Sequence, residues 1–256
     1  MRIEPWARDV VAEELGETVS IHDDQSQPSM YDLRVGPKTA PLIAIECVQA
    51  IDEERAATWN VGPRRGSLTL PVNGNWGVGI TKNAIITKLK VALPSVLRSL
   101  ESAGLWELRA DPLLKRDEPG LFRLLTDLGV RWLSCYDHGG NGRVFFSMEG
   151  VGGAVDSLGA LLPSWIDLFL RHPTHDDVLC KLSSSGAPER HVFIAVHLGG
   201  APFAVESYLS RCHVLPSQPP DLPPPVTGVW VVGGQLAAGV RWTGSAWKLF
   251  TFTFGS

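Results

Sequence analysis

The chain has 256 residues and a mass of 27.8 kDa, enough for one large domain or two small ones and for a core that needs no disulfide or structural metal. Hydrophobic residues make up 44% of the chain and charged residues 20%, proportions that exclude bulk disorder. The formal net charge of -4 and the pI near 6.0 exclude a polybasic nucleic-acid-binding protein, but they are compatible with a local basic groove.

Three features predict the cellular compartment. Charged side chains interrupt the first 15 residues, so we expect no signal peptide. The longest apolar run, residues 158–170, contains Pro163 and Asp167 and is too short to span a membrane. Four cysteines without a CxxC pair are typical of reduced thiols: Cys47, Cys135, Cys180 and Cys212. The sequence therefore predicts a cytoplasmic protein with no membrane partner.

The N-terminal part predicts one helix and three strands. Apolar side chains recur four residues apart over residues 4–15, which is typical of an amphipathic helix. Extended segments follow at 18–22, 31–35 and 42–49. The third segment, LIAIECVQ, is almost continuously apolar, which predicts a strand covered on both faces. Its only charged residue is Glu46.

The remaining elements mix helices and strands. A GGNG turn between segments 130–136 and 143–148 predicts a β-hairpin. Further helices are expected at 83–103, 119–128, 157–171 and 174–182, and a further strand at 192–197. A proline-rich surface connection at 215–227 precedes an antiparallel β meander over 228–256, packed on the core. This order predicts an α/β or α+β fold in a single domain over residues 1–256.

Two carboxylates stand out in the N-terminal third of the chain. Asp32 opens the second extended segment, and Glu46 lies inside the third. A buried carboxylate is costly unless it is paired or binds a cation. Carboxylates on neighbouring strands offer the oxygen ligands that Mg²⁺ or Mn²⁺ prefers, and such a metal can activate water for phosphodiester hydrolysis. The alternative interpretation places Asp32 in a turn and Glu46 in an internal ion pair.

The order of a helix, a β-hairpin and the pattern D-x(13)-E-x-V resembles the PD-(D/E)xK phosphodiesterase superfamily, which has a restriction-endonuclease-like fold. More narrowly, the chain resembles predicted actinobacterial members with an IAVEVT-type third strand. The segments ERHVFIAV (189–196) and LPPPVTGVWVV (222–232) are similar to such proteins as well. The resemblance implies a mixed sheet core flanked by helices, with a C-terminal antiparallel β extension.

The resemblance also implies a set of site residues. Asp32 and Glu46 would bind the metal, and Glu14 or Glu13 on the first helix would be an auxiliary acid. The superfamily usually has a lysine two residues after the second acid, where this chain has Val48. Such a lysine positions or activates the attacking water and stabilises charge in the transition state. Three residues are candidate replacements for it: Lys38, Gln49 and His22.

Weaker signals have competing interpretations. The HPTHDD run at 172–177 fits either a metal cluster or a helix cap. The triplet at 189–191 either lines a site or contributes an ion pair between Arg190 and Asp221 or another carboxylate at the sheet edge. Cys47 directly follows the acid of its strand, so we expect it to face the opposite side of the sheet.

Basic side chains concentrate in the PRRG segment at 63–66 and on or just before the long helix, at Lys82, Lys88, Lys90 and Arg98. They either contact phosphates, with salt-sensitive binding, or form a solvated helix face. We expect three C-terminal tryptophans to fill a core and not to form a base-stacking platform. These are Trp230, Trp242 and Trp247.

The sequence supports three hypotheses of function. The first is a metal-dependent nuclease that uses Asp32 and Glu46 on nucleic acid, in defence or DNA processing. The second is a non-catalytic binding or scaffold protein of the same fold, marked by Val48 and by the acidic net charge. The third is an unrelated α+β interaction module whose proline-rich segment, 216–225, binds a protein partner.

Overall fold

The computed structural model describes residues 3–23, 30–61, 66–148, 155–197, 199–211, 213–233 and 238–253. The helices are α1 (Glu4–Leu15), α2 (Glu53–Val61), α3 (Ile86–Ser102), α4 (Pro112–Asp117), α5 (Pro119–Asp127), α6 (Leu162–Leu170), α7 (Asp176–Ser184) and α8 (Phe203–Leu209). The strands are β1 (Val19–Ile21), β2 (Leu33–Val35), β3 (Ile43–Ala50), β4 (Ser67–Thr69), β5 (Asn75–Ile80), β6 (Glu107–Arg109), β7 (Val130–Asp137), β8 (Arg143–Met148), β9 (Glu189–Val196), β10 (Gly228–Gly233), β11 (Ala238–Trp242) and β12 (Trp247–Thr251). Helices flank two mixed sheets, which confirms the prediction of mixed α and β structure. No helix in the described ranges is long and apolar enough to cross a membrane.

The chain divides into two compact units. Unit 1 comprises Met1–Ile51 and Gly153–Ser256, and unit 2 comprises Asp52–Gly152. Unit 2 is thus inserted between β3 and α6, two elements of unit 1. The sequence shows no clean boundary, because apolar segments continue through both units and their pattern does not say which of them pack together.

Unit 1 contains a seven-stranded sheet in the order β1-β2-β3-β9-β10-β11-β12. β1, β2 and β3 are antiparallel neighbours, whereas β9 runs parallel to β3, and β10 runs parallel to β9. β10, β11 and β12 are antiparallel and form the far edge of the sheet. β3 and β9 lie at the centre with most residues buried, as the apolar LIAIECVQ segment predicts.

Both faces of this sheet are covered, each by different helices. On the α1 face, Ile45 and Phe193 pack against α1. On the α7 face, Ala44 and Val192 pack against α6, α7 and α8. Trp230 is buried in the core on the α1 face, which confirms the prediction that it fills a core. Since side chains alternate along a strand, this division decides which side chains of β3 and β9 can meet.

Unit 2 contains a five-stranded sheet in the order β4-β8-β5-β7-β6. The predicted hairpin of β7 and β8 is wrong, because β5 lies between them, antiparallel to β7 and parallel to β8. The GGNG turn is held by other contacts. Asn75 Oδ1 of β5 accepts the backbone N–H groups of Asn141 and Arg143, and Gly142 O accepts the N–H of Leu70. These long-range hydrogen bonds connect the GGNG turn to β5 and to the segment after β4.

We expect the core of unit 1 to be sensitive to cavities under α6. Ile166 is fully buried in this core, whereas Leu168 on the same helix is 72% exposed. Ile166→Ala should lower the free energy of unfolding by about 2–5 kcal/mol, because it removes buried methyl groups and leaves a cavity. Leu168→Ala should change it by less than about 0.5 kcal/mol. Urea unfolding of both variants measures the difference, and equal effects would contradict the packing of α6.

Candidate functional site

Asp32 and Glu46 meet across neighbouring strands. The antiparallel register that pairs Leu33 with Ile45 places Asp32 opposite Glu46 when it is continued by one residue. Asp32 Oδ2 accepts the backbone N–H of Cys47 at 2.7 Å, which orients the carboxylate. Both side chains are buried, with Asp32 9% and Glu46 2% exposed. The structure therefore brings together the two acids that the sequence singles out.

Helix α7 supplies a lysine to this pair. Lys181 Nζ lies 3.3 Å from Glu46 Oε2 and 4.0 Å from Oδ2 of Asp177, one turn earlier on the helix. Val178 and Leu182 pack α7 into the core of unit 1 and so hold Lys181 over β3. The internal ion pair of the alternative interpretation is therefore present. Sequence reasoning missed Lys181, since 135 residues separate it from Glu46.

Negative charge exceeds positive charge around the two acids. Burial first, and then the charge of Asp32, raise the pKa of Glu46 to about 8, although the Lys181 ammonium lowers it. Burial also raises the pKa of Asp32, and the charges of Glu4 and Asp23 raise it slightly further. The backbone hydrogen bond from Cys47 and the charge of Lys181 lower it. One ammonium thus faces several carboxylates, and the site favours a further cation or a proton.

The donor set fits an open metal site. Glu46 Oε1 is buried, and no group within the described ranges donates a hydrogen bond to it. Nowhere in those ranges do three or more His, Cys, Asp or Glu side chains form a cluster that can hold a metal. Mg²⁺ is commonly bound by one or two carboxylates, with water and substrate phosphate oxygens as its other ligands. Asp32 and Glu46 match that kind of site and do not form a closed structural one.

The predicted auxiliary acids lie away from this pair. Glu14 Oε1 forms an ion pair with Arg241 Nη2 of β11 at 2.9 Å, and Glu13 accepts two hydrogen bonds from Thr253. The acid of α1 that interacts electrostatically with Asp32 is Glu4, in the first turn. It lies about 15 Å along the helix axis from Glu14. Helical periodicity does not reveal which end of α1 approaches the sheet near the acids.

Two of the three candidate replacements for the lysine lie apart from the acids, whereas His22 donates its backbone N–H to the carbonyl oxygen of Asp32 at 2.7 Å and so lies beside that acid. Lys38 is exposed in the turn that joins β2 to β3, at the closed end of their ladder. Gln49 is exposed, and the alternation of β3 places it on the opposite face from the acid. Cys47 shares that face and packs at the α1 core, as predicted. His22 stacks on Tyr31 with ring centroids 4.1 Å apart.

The weaker sequence signals resolve into local contacts. The turn before α7 begins at His172, whose Nδ1 accepts the backbone N–H of Thr174. Asp221 pairs with Arg171 Nη2 at 3.1 Å, and Arg190 donates its backbone N–H to Thr227 Oγ1 at 2.8 Å. These contacts stabilise the turns and the sheet edge, and of the 172–177 run it is Asp177 that approaches the candidate site, where its charge raises the pKa of Glu46.

The basic residues noted in the sequence have different environments. Lys82 forms ion pairs with Asp52 at 3.4 Å and Glu54 at 3.1 Å. Lys88 and Arg98 are exposed on α3. The arginines of the PRRG segment, Arg64 and Arg65, lie outside the described residues.

His191 is a core histidine on the α1 face. Its Nδ1 accepts the indole N–H of Trp230 at 3.3 Å, and its Nε2 lies 3.2 Å from Glu189 Oε2. Since an indole N–H can only donate, a neutral imidazole with its proton on Nε2 satisfies both contacts. Burial first, and Arg241 second, lower the pKa of His191 to about 4.

Comparisons with known proteins do not assign the chain to a family. No family model matches it, no curated protein matches it, and no solved structure matches it. Function is therefore inferred from Asp32, Glu46 and Lys181 themselves.

We expect His191 to make stability fall in acid. Its pKa is about 4 when folded and near the ordinary value of 6.5 when unfolded, so the unfolded chain binds a proton that the folded chain excludes. The stabilisation is complete above pH 6.5 and lost as the pH falls through 4, an effect of about 3 kcal/mol.

His191→Gln should remove this part of the pH dependence, whereas His213→Gln, at an exposed position, should keep it. Urea unfolding at four values between pH 4 and pH 7 gives the slopes for the comparison. A His191→Gln variant that loses stability as steeply as the parent would show that another group is responsible.

Proposed function

We propose that the chain is a metal-dependent phosphodiesterase that hydrolyses nucleic acid at Asp32, Glu46 and Lys181. The observation that carries the proposal is the second carboxylate. Glu46 and Lys181 alone would form an ordinary buried ion pair, but Asp32 beside them adds negative charge that raises the pKa of Glu46. In a low-dielectric site this arrangement is costly without a cation, and a divalent metal removes the cost.

The architecture of unit 1 supports a restriction-endonuclease-like core. The acids lie at the second strand and within the third strand after an N-terminal helix, as in the pattern that carries the resemblance. The sheet is mixed, helices cover both of its faces, and three antiparallel strands extend its C-terminal edge. These features agree with the core and with the extension that the resemblance implies.

Asp32 and Glu46 are the residues that would hold Mg²⁺ or Mn²⁺. Such a metal, when bound, would supply charge neutralisation at the phosphate and activation of a water molecule. The N–H of Cys47 orients Asp32, and Glu46 Oε1 is the acceptor still available for a cation. In the overall reaction the water oxygen forms a bond to phosphorus, a P–O ester bond breaks, and the leaving oxygen takes up a proton.

Lys181 of α7 would take the role of the lysine that the superfamily usually has on its third strand, where this chain has Val48. Its ammonium donates one hydrogen bond to Glu46 Oε2 at 3.3 Å and has two further protons to donate. The side chain is 24% exposed, so it joins the buried acids to the solvent side of the site. There it would stabilise the negative charge that develops on phosphate oxygens during attack.

The acids are tested by cleavage and by metal binding together. Asp32→Asn and Glu46→Gln should each lower the rate of Mn²⁺-dependent cleavage of mixed DNA and RNA substrates by about 100-fold or more. Calorimetry should show Mn²⁺ binding that is lost in Glu46→Gln. Glu189→Gln, at an exposed acid of the same unit, should leave both unchanged. Cleavage that survives in Glu46→Gln would overturn the proposal, and a chain that neither binds Mn²⁺ nor cleaves would favour the scaffold hypothesis.

Lys181 is tested by separating cleavage from metal binding. Lys181→Met should lower the cleavage rate by about 10- to 100-fold but keep Mn²⁺ binding, because the loss of an ammonium leaves the site more negative. The acid limb of the pH–rate profile should move to higher pH, since Lys181 lowers the pKa of Glu46.

Two variants complete the test of Lys181. Lys181→Arg should restore part of the rate, and Lys248→Met, at an exposed lysine of β12, should leave it unchanged. A Lys181→Met variant with the parental rate and pH profile would limit Lys181 to the structural ion pair.

A further inference from the structure

Within unit 2, one face of the sheet, here called the open face, lies outside the hydrophobic core. α3 and α5 pack on the other face, where Trp76 and Val144 belong to the core. Strand alternation and the ladder registers place Phe145 of β8, Gly77 of β5 and Ser134 of β7 in one row across the open face. This face therefore exposes residues that are not needed for the core.

Aromatic rings lie on this face because β5 carries glycines there. A Cβ atom on Gly79 would lie 2.1 Å from Trp132 Nε1, and one on Gly77 would lie 3.1 Å from the same indole. The Trp132 indole of β7 thus extends across β5. Tyr136 of β7 and Phe145 of β8 also approach each other across β5, with ring centroids 5.8 Å apart.

These rings are accessible to a ligand. Tyr136 is 56% exposed and Phe145 is 40% exposed, although side chains of this kind usually bury most of their surface. Packing against a helix does not account for them, since α3 and α5 contribute their apolar side chains to the opposite face. Exposed aromatic side chains that gather on one face indicate a binding surface.

The charge of unit 2 favours an anionic ligand. Residues 52–152 carry 13 Lys and Arg against 11 Asp and Glu, whereas the rest of the chain carries 10 against 16. Arg143 at the start of β8 is exposed and interacts electrostatically with Tyr136. Arg109 of β6 stands opposite Trp132 in the ladder and is exposed, in a solvated ion pair with Glu107 at 3.2 Å.

We propose that this surface, the aromatic platform formed by Trp132, Tyr136, Phe145, Arg109 and Arg143, binds single-stranded nucleic acid. Unpaired bases stack on exposed rings, and arginines on either side contact the phosphates, a combination that tolerates many sequences. A duplex keeps its bases paired inside and offers no base faces to the rings. The binding itself does not depend on the carboxylate site. A role of the platform in selecting single strands as the substrate of Asp32 and Glu46 is a further step, and that step rests on the proposed function.

The test is fluorescence anisotropy of the full chain with labelled oligo(dT), oligo(U) and a DNA duplex. We expect both single strands to bind more tightly than the duplex. Tyr136→Ala and Phe145→Ala should each weaken binding by about fivefold or more, and Tyr136→Phe, which keeps the ring, should change it by less than about twofold. Arg143→Ala should reduce the slope of log affinity against log salt by about 0.7.

Val91→Ala is the matched control, because Val91 is 82% exposed on α3 and removal of its side chain leaves the platform intact. Thermal unfolding of every variant shows whether a loss of binding comes from loss of the fold. Single strands that do not bind, or bind equally to the parent and to the Tyr136→Ala, Phe145→Ala double variant, would overturn the proposal. Preference for the duplex would overturn it as well.

Glu46→Gln separates this proposal from the proposed function. If the platform is correct, Glu46→Gln binds oligo(dT) and oligo(U) like the parent, whatever its cleavage activity. A parent chain that binds single strands but cleaves nothing would retain the platform and overturn the phosphodiesterase. If the parent cleaves nucleic acid and the Tyr136→Ala, Phe145→Ala double variant binds single strands as tightly as the parent, the platform is overturned and the phosphodiesterase is retained.

Discussion

The placement of two carboxylates inside an apolar sheet is the constraint on which unit 1 depends. β3 is a central strand with helices on both faces, so Glu46 has almost no access to water. An ionised carboxylate in such a position is destabilising by several kcal/mol unless positive charge compensates it. Helix α7 therefore has to lie with Lys181 over β3, and the backbone of Cys47 has to hold Asp32. The same contacts that make the charge tolerable also assemble the candidate site.

The parallel pairing of β3 with β9 makes this assembly possible. The whole of unit 2 separates β3 from α6, α7 and β9 along the chain. The ladder from Ile43 and Glu189 to Ala50 and Val196 joins the two parts of unit 1 again. Each residue of β3 has a fixed neighbour on β9, so the two strands share the same two faces. α7 packs on the face that carries Glu46. The opposite face receives α1 and the neutral His191.

The proposed hydrolysis and the proposed binding of single strands lie in different units. The two units differ in charge and in the exposure of the residues concerned. In unit 1 the polar groups are buried, and negative charge accumulates where a divalent cation would bind. In unit 2 the aromatic rings are exposed, and positive charge is in slight excess. A chain that is acidic overall can thus have one region suited to a polyanion, since the net charge of -4 does not describe the distribution.

Local features of the structure could be predicted from the sequence, since they depend on neighbouring residues. Periodicity predicts α1, the apolar run predicts a strand buried on both faces, and strand alternation predicts that Cys47 faces away from Glu46. The sequence also places Asp32 and Glu46 on neighbouring strands, and the antiparallel register of β2 and β3 brings them together. The expected hairpin of β7 and β8 fails, because β5, which is distant in sequence, lies between the two strands.

Short-range spacing and hydrophobicity therefore encode the longer helices, the two-sided burial of β3 and the placement of Asp32 and Glu46 on neighbouring strands, but they do not predict α2, α4, α8 or β6. Long-range packing brings Lys181 to Glu46, makes Glu4 and not Glu14 the acid of α1 that interacts electrostatically with Asp32, and places β5 between β7 and β8. Each of these depends on contacts between segments far apart in the chain. Such contacts follow from the packing of whole helices and sheets, which no local pattern specifies.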